Sequence, residues 1–138
     1  MFVVTETARV PVDPEMLWRR IGSFVAVGEW HPLLAKVDSD GDEPGATRRV
    51  VTRSGDIRVE RLESFDPSLH VYRYSLREHE TPVTNYTAEF RIDGTDTGTS
   101  IVTWSARFDI VSGGEEEGQR TVREFLKAGL CNLADQNS

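Results

Sequence analysis

A chain of 138 residues, 38% apolar and 28% charged, is sized for one hydrophobic core and too ordinary in composition for a disordered segment. Its formal net charge of −7, with Lys and Arg scattered along the chain, opposes phosphate binding, so no nucleic-acid partner is expected. Cys131 is the only cysteine, which excludes an intramolecular disulfide; between Leu130 and Leu133 it reads as a small buried hydrophobe.

Along the chain, Phe2, Val4, Ala8 and Val10 alternate, which predicts a strand over 2–10 with one face buried. Asp13-Pro14-Glu15 follows as a helix start: a capping carboxylate, a proline suited to the first turn and an acid for the positive helix end. Leu17, Trp18, Ile21 and Phe24 form the inner side of a short helix. Gly28 marks a break before Trp30-His31-Pro32, so two short helices are expected. From Leu33 onward the pattern is extended. A polar turn fills 39–46, Thr47–Arg53 and Ile57–Phe65 form a hairpin around Ser54-Gly55-Asp56, and Asp66-Pro67 closes it.

His70–Glu78 alternates with Tyr72, Tyr74 and Leu76 on one side, and Thr81-Pro82 interrupts before the next run. Tyr86, Ala88, Phe90 and Ile92 then share a face, as do Val102, Trp104, Ala106, Phe108 and Ile110 after a loop over 93–98. Successive strands with one clean apolar face predict an antiparallel sheet covered on one side. After Glu115-Glu116-Glu117, the residues Val122, Phe125, Leu126, Gly129, Leu130 and Leu133 recur at helical spacing, so this C-terminal helix is the cover. The fold expected is a single α+β domain over 1–138: a curved antiparallel sheet of six or seven strands gripping one long helix. The N-terminus lacks a basic start and an apolar run, and no stretch approaches the roughly 20 apolar residues of a membrane span. A cytoplasmic protein is therefore expected.

The order of elements, together with particular residues, resembles a known superfamily. Those residues are Ala8-Arg9-Val10-Pro11-Val12-Asp13-Pro14-Glu15-Met16-Leu17-Trp18, Glu29-Trp30-His31-Pro32, Gly45-Ala46-Thr47-Arg48 and Glu60-Arg61-Leu62. Tyr72 to Leu76, Asn85-Tyr86, Val102 to Phe108 and Gly129-Leu130 complete them. The chain resembles the START-related (SRPBCC) superfamily, and within it the polyketide cyclase/dehydrase-like branch. That resemblance implies a helix-grip fold around an internal cavity, with Trp30-His31-Pro32 at the cavity mouth. It does not imply one function, because the superfamily hosts carriers, receptors and enzymes.

No Walker loop, HExxH, CxxC or GxSxG occurs, so no cofactor is expected. His31, His70 and His79 lack ligand spacing, so no metal is expected either, and the last two read as solvated. The candidates for a site are inward polar and aromatic residues. Alternation leaves open whether Arg48 or Arg49 points inward, and the resemblance favours Arg48. Its guanidinium could clamp a ligand oxygen or pair with Glu60 across the hairpin. Glu60 could serve as an acid or base, yet pairing with Arg48 is favoured because an unpaired buried charge is costly.

Tyr74 and Tyr86 lie on inner faces, where a hydroxyl wants a partner. Trp104 is either a cavity wall or core. Trp30 and His31 are candidate ligand contacts, with His31 a candidate acid or base; Glu6 is a weaker inward candidate. The function these residues suggest is binding of a hydrophobic or aromatic small molecule by Trp30, His31, Arg48, Glu60, Tyr74, Tyr86 and Trp104. The alternative is a cyclase/dehydrase-like enzyme in which His31 or Glu60 moves a proton next to a carbonyl. Charged outward strand positions suggest a monomer or weak homodimer.

Overall fold

The computed structural model describes residues 1–78, 83–111 and 114–138, Glu78 by its backbone alone. Its strands are β1 (Phe2–Val10), β2 (Leu34–Ser39), β3 (Thr47–Thr52), β4 (Ile57–Asp66), β5 (Val71–Glu78), β6 (Val83–Gly94) and β7 (Ser100–Ile110). Its helices are α1 (Pro14–Ile21), α2 (Val27–Trp30) and α3 (Glu115–Gln136), with a 3₁₀ turn over Phe24–Ala26. The strands form one antiparallel sheet in the order β1-β7-β6-β5-β4-β3-β2. The helix-grip architecture expected from the sequence is the architecture observed, with seven strands.

Alternation sets the sheet's two faces. Val102, Trp104, Ala106 and Phe108 are buried in β7, and Tyr86, Ala88, Phe90 and Ile92 beside them in β6. The opposite face carries solvated ion pairs such as Arg73–Glu89, 2.7 Å apart. Register shifts between Leu34 and Lys36, between Val59 and Glu60, and between Leu62 and Ser64 let the sheet bend. Another lies between Thr84 and Thr87, where Asn85 takes a left-handed φ of 53°, which its short polar side chain tolerates.

The α1 start is as expected: Asp13 Oδ2 accepts from the N–H groups of Glu15 and Met16 at 3.1 and 3.2 Å. Three details differ from the sequence reading. Gly28 does not break a helix but lies inside α2, where an added Cβ would sit 2.9 Å from Val37 Cγ2. Phe24 belongs to the 3₁₀ turn after α1 rather than to α1 itself. Cys131 is exposed, because it follows buried Leu130 by one residue and so turns about 100° away from the apolar stripe. His70 is likewise not simply solvated: its ring stacks on Trp18 at 5.5 Å, and its Nε2 lies 3.0 Å from Glu15 Oε2. His79 and the Thr81-Pro82 break lie outside the described residues.

The long helix α3 lies over β1 and β7 and touches α2. Leu126, Leu130 and Leu133 point into the core; Arg123 reaches Glu6 on β1 at 2.8 Å, and Asn132 donates to the Trp30 carbonyl at 2.8 Å. Glu6 thus does face the helix, as an ion-pair partner. This seating covers one side of the concave face closely and leaves its β4–β6 side less closely capped.

Candidate functional site

Arg48 resolves the parity question: it is 1% exposed and shares the inner face with Val50 and Thr52. Its register partner across the hairpin is Glu60. Arg48 Nε donates to Glu60 Oε1 at 2.7 Å, and Nη1 donates to the Phe24 carbonyl at 2.7 Å and to the Tyr72 hydroxyl at 3.4 Å. The guanidinium carbon sits 4.1 Å from the centroid of the Phe24 ring and 4.5 Å from that of Tyr74. Burial works against this charge, but the Glu60 carboxylate and the flanking tyrosines outweigh it and hold Arg48 above its ordinary range.

The tyrosines are neutral donors or acceptors at any ordinary pH. Burial pushes Tyr74 well above the usual phenol value, and Glu60 adds to the rise; Tyr86 and Tyr72 are raised by burial too. The Tyr74 hydroxyl accepts from Trp104 Nε1 at 3.0 Å. Trp104 in turn meets Trp30 and Phe90 edge to face, with centroids 5.5 and 5.9 Å away. Trp30 stacks on Phe90, and its Nε1 is buried with no acceptor among the described residues.

His31 is 2% exposed and does not stand at a mouth. Its Nε2 lies 2.8 Å from the Phe125 carbonyl and must donate to it, while Nδ1 accepts from the Leu33 N–H at 3.2 Å. The ring stacks on Phe125 with centroids 4.1 Å apart and fits against Gly129, where a Cβ would come within 2.5 Å of its Cδ2. Burial is the main cause that lowers the His31 pKa to about 4, with Arg58 and Arg48 adding to it; the bond to Phe125 only partly opposes the fall. The imidazole is therefore neutral at pH 7 and locks α3 to the loop after α2.

Two spaces interrupt this packing. An inner one, about 10 Å³, is lined by Arg48, Glu60, Tyr74 and Trp104 among others, and is at most the size of a single water. An outer one opens to solvent between β4–β6 and the first half of α3. It holds about 40 Å³ of room, or about 500 Å³ when the open solvent in front of it is included. Leu76, Val83, Tyr86, Val122 and Phe125 give it apolar walls, and Arg58, Glu60 and Thr121 supply polar groups. Arg58, Glu60 and Phe125 line both spaces and so separate them.

The sequence-derived candidates divide accordingly. Arg48, Tyr74 and Trp104 face the inner space, Tyr86 the outer one and Glu60 both, whereas Trp30 and His31 line neither. Sequence reasoning missed Arg58, Leu76, Val83, Thr121, Val122 and Phe125. Arg58 was within reach, because it has the parity of Glu60 and Leu62 on β4; Phe125 already stood in the apolar stripe of α3. Thr121 carries no signal in the sequence.

A curved seven-stranded antiparallel sheet gripping a C-terminal helix, with a partly filled interior, defines the class. The chain belongs to the family of polyketide cyclase/dehydrase and lipid transport proteins, whose model matches residues 1–136. Among solved structures it is similar to the protein XoxI from Bacillus cereus, with 29% identity over 99% of this chain and 96% of that one and a TM-score of 0.91. An uncharacterised protein from Bacillus thuringiensis is similar at 28% identity over 98% of each chain, with a TM-score of 0.89. Ara h 8.0201, at 14% identity over 98% of this chain and 96% of that one, shares the fold with a TM-score of 0.77. No curated protein sequence matches the chain.

Proposed function

We propose that this protein binds a hydrophobic or aromatic small molecule in the outer pocket, between the β4–β6 end of the sheet and α3. The observation that carries this reading is the pocket itself: apolar walls, an open mouth, and a few convergent polar groups at its floor. Membership in a family described by cyclase/dehydrase and lipid transport activities supports it. The room of about 40 Å³ is small against the roughly 150 Å³ in which an apolar cavity accepts benzene. Binding therefore requires the first half of α3 to give way.

The experiment is a thermal-shift and fluorescence titration with a neutral polarity-sensitive dye such as N-phenyl-1-naphthylamine, alongside the variant Thr121→Trp. Thr121 is exposed at the mouth, so a tryptophan there fills the entrance without disturbing the core. Saturable binding by the native chain, abolished in Thr121→Trp at unchanged thermal stability, is the result expected. Equal binding by both would place the dye elsewhere and remove the reading.

One observation favours an acid–base role: Glu60 faces both spaces, and Tyr86 lines the outer one with it. Against it, one carboxylate oxygen is already held by Arg48 at 2.7 Å. Turnover of an aromatic polyketide analogue that Glu60→Gln abolishes would establish the enzyme. Binding without turnover leaves a carrier or receptor.

A further inference from the structure

Among the described side chains, the charges facing the interior do not balance. Arg48 and Glu60 neutralise each other at 2.7 Å. Glu6 is held by Arg123 at 2.8 Å, and the charged residue left, Arg58, is two residues before Glu60 on β4 and lines both spaces. Among the described side chains it has no carboxylate within ion-pair distance, and its Nε is buried without a hydrogen-bond acceptor there. His31, being neutral, adds no charge of its own. Among the described side chains, then, a half-buried cation with an unused donor points into an apolar pocket and is without an anion.

The geometry also shows how Arg58 is held. Its guanidinium carbon lies 4.6 Å from the centroid of the Phe125 ring. Stacking of this kind fixes the plane of the guanidinium by one face and leaves the N–H groups at its edge to make paired hydrogen bonds. A carboxylate or phenolate accepted there would have Tyr86 and Thr121 as further hydroxyl donors in the same pocket, and Leu76, Val83 and Val122 around its apolar part. Glu60 would not repel it strongly, because Arg48 already neutralises that carboxylate.

We propose that Arg58 is the head-group anchor of the pocket and that the ligand is a monoanion, a carboxylate or phenolate carried on an apolar ring or chain. This rests on the binding reading above and narrows it to a charge class. The shared chemistry covers aromatic acids and fatty acids, which differ in body and not in head.

The test compares matched ligands: 2-naphthoate with 2-naphthamide, and decanoate with decanamide, by calorimetry or dye displacement on the full chain. The native protein should bind each anion about tenfold or more tightly than its amide, the scale of a charge-assisted hydrogen bond. In Arg58→Gln that preference should vanish, the anion losing far more affinity than the amide, and an unchanged unfolding midpoint certifies that the fold is intact. Arg58→Lys, which keeps the charge and loses the fork, should retain part of the preference. Whichever body binds better, naphthyl or decyl, tells the aromatic source from the lipid one. Equal affinity for acid and amide in the native protein, or a preference that survives in Arg58→Gln, overturns the anchor while leaving the binding reading in place. Failure of all four ligands to bind removes both.

Discussion

An imidazole held between a helix carbonyl and a loop N–H has nowhere to put a second proton. That is the situation of His31, whose Nε2 donates to Phe125 and whose Nδ1 accepts from Leu33. Its pKa of about 4 in the folded protein lies below the value of 6.5 it has when free. Between those values the unfolded chain takes up a proton that the folded chain refuses. Stability present above pH 6.5 is therefore lost as the pH falls towards 4, by at most about 1.4 kcal/mol per pH unit. Denaturant unfolding at pH 4.5, 5.5 and 6.5 should show a steeper loss in the native chain than in His31→Gln, and parallel curves would contradict the assignment. The Arg48–Glu60 pair makes a different residue-scale prediction. Removing Glu60 alone strands a guanidinium that is 1% exposed, so Glu60→Leu should cost about 3–5 kcal/mol. The double variant Arg48→Met/Glu60→Leu should cost much less than that single change, because it removes both charges. Additive losses in urea unfolding would show the two residues to be independent.

At the scale of elements, the contact between α3 and the loop after α2 depends on the absence of one side chain. Alanine is a better helix former than glycine by up to about 1 kcal/mol. Yet a Cβ at Gly129 would stand 2.5 Å from His31 Cδ2 and 3.0 Å from Trp104 Cζ3. Crowding of two rings that are themselves packed should outweigh the propensity gain, so Gly129→Ala is expected to destabilise by about 1–3 kcal/mol in thermal unfolding. In a His31→Ala background the closest contact is gone and the same methyl should cost distinctly less, with Trp104 alone still crowding it at 3.0 Å. A cost of the same size in both backgrounds would mean that His31 does not set the close approach. The identity of α3 as the gripping element was legible from its stripe, and Gly129 stood within that stripe. What periodicity alone could not supply was the reason for a glycine there, since the partner that demands it lies 98 residues away in sequence.

At the scale of the whole molecule, the architecture was readable because each level of the sequence pointed the same way: alternation in the strands, a capped α1, and one amphipathic helix left to cover one apolar face. The interior was less readable. Period-two alternation says which side chains enter and not whether they meet, so a hollow grip and a filled one look alike. The aromatic residues Trp30, Phe90 and Trp104 turn out to fill most of the gap, and the remaining room shifts to the end where α3 does not cover β4–β6. Hence His31 and Trp30, expected at a mouth, are packed inside, while Arg58 and Phe125 line the pocket that does open. On the convex face a broad depression near Arg73, Glu89 and Arg107 offers a contrasting surface whose Arg73 and Glu89 already pair. Backbone amide shifts followed during a titration with 2-naphthoate separate the two surfaces directly. Saturable shifts clustered at Leu76, Val83, Tyr86, Val122 and Phe125 are predicted. Shifts confined to the convex face, or none that saturate, would contradict ligand binding between the sheet and α3.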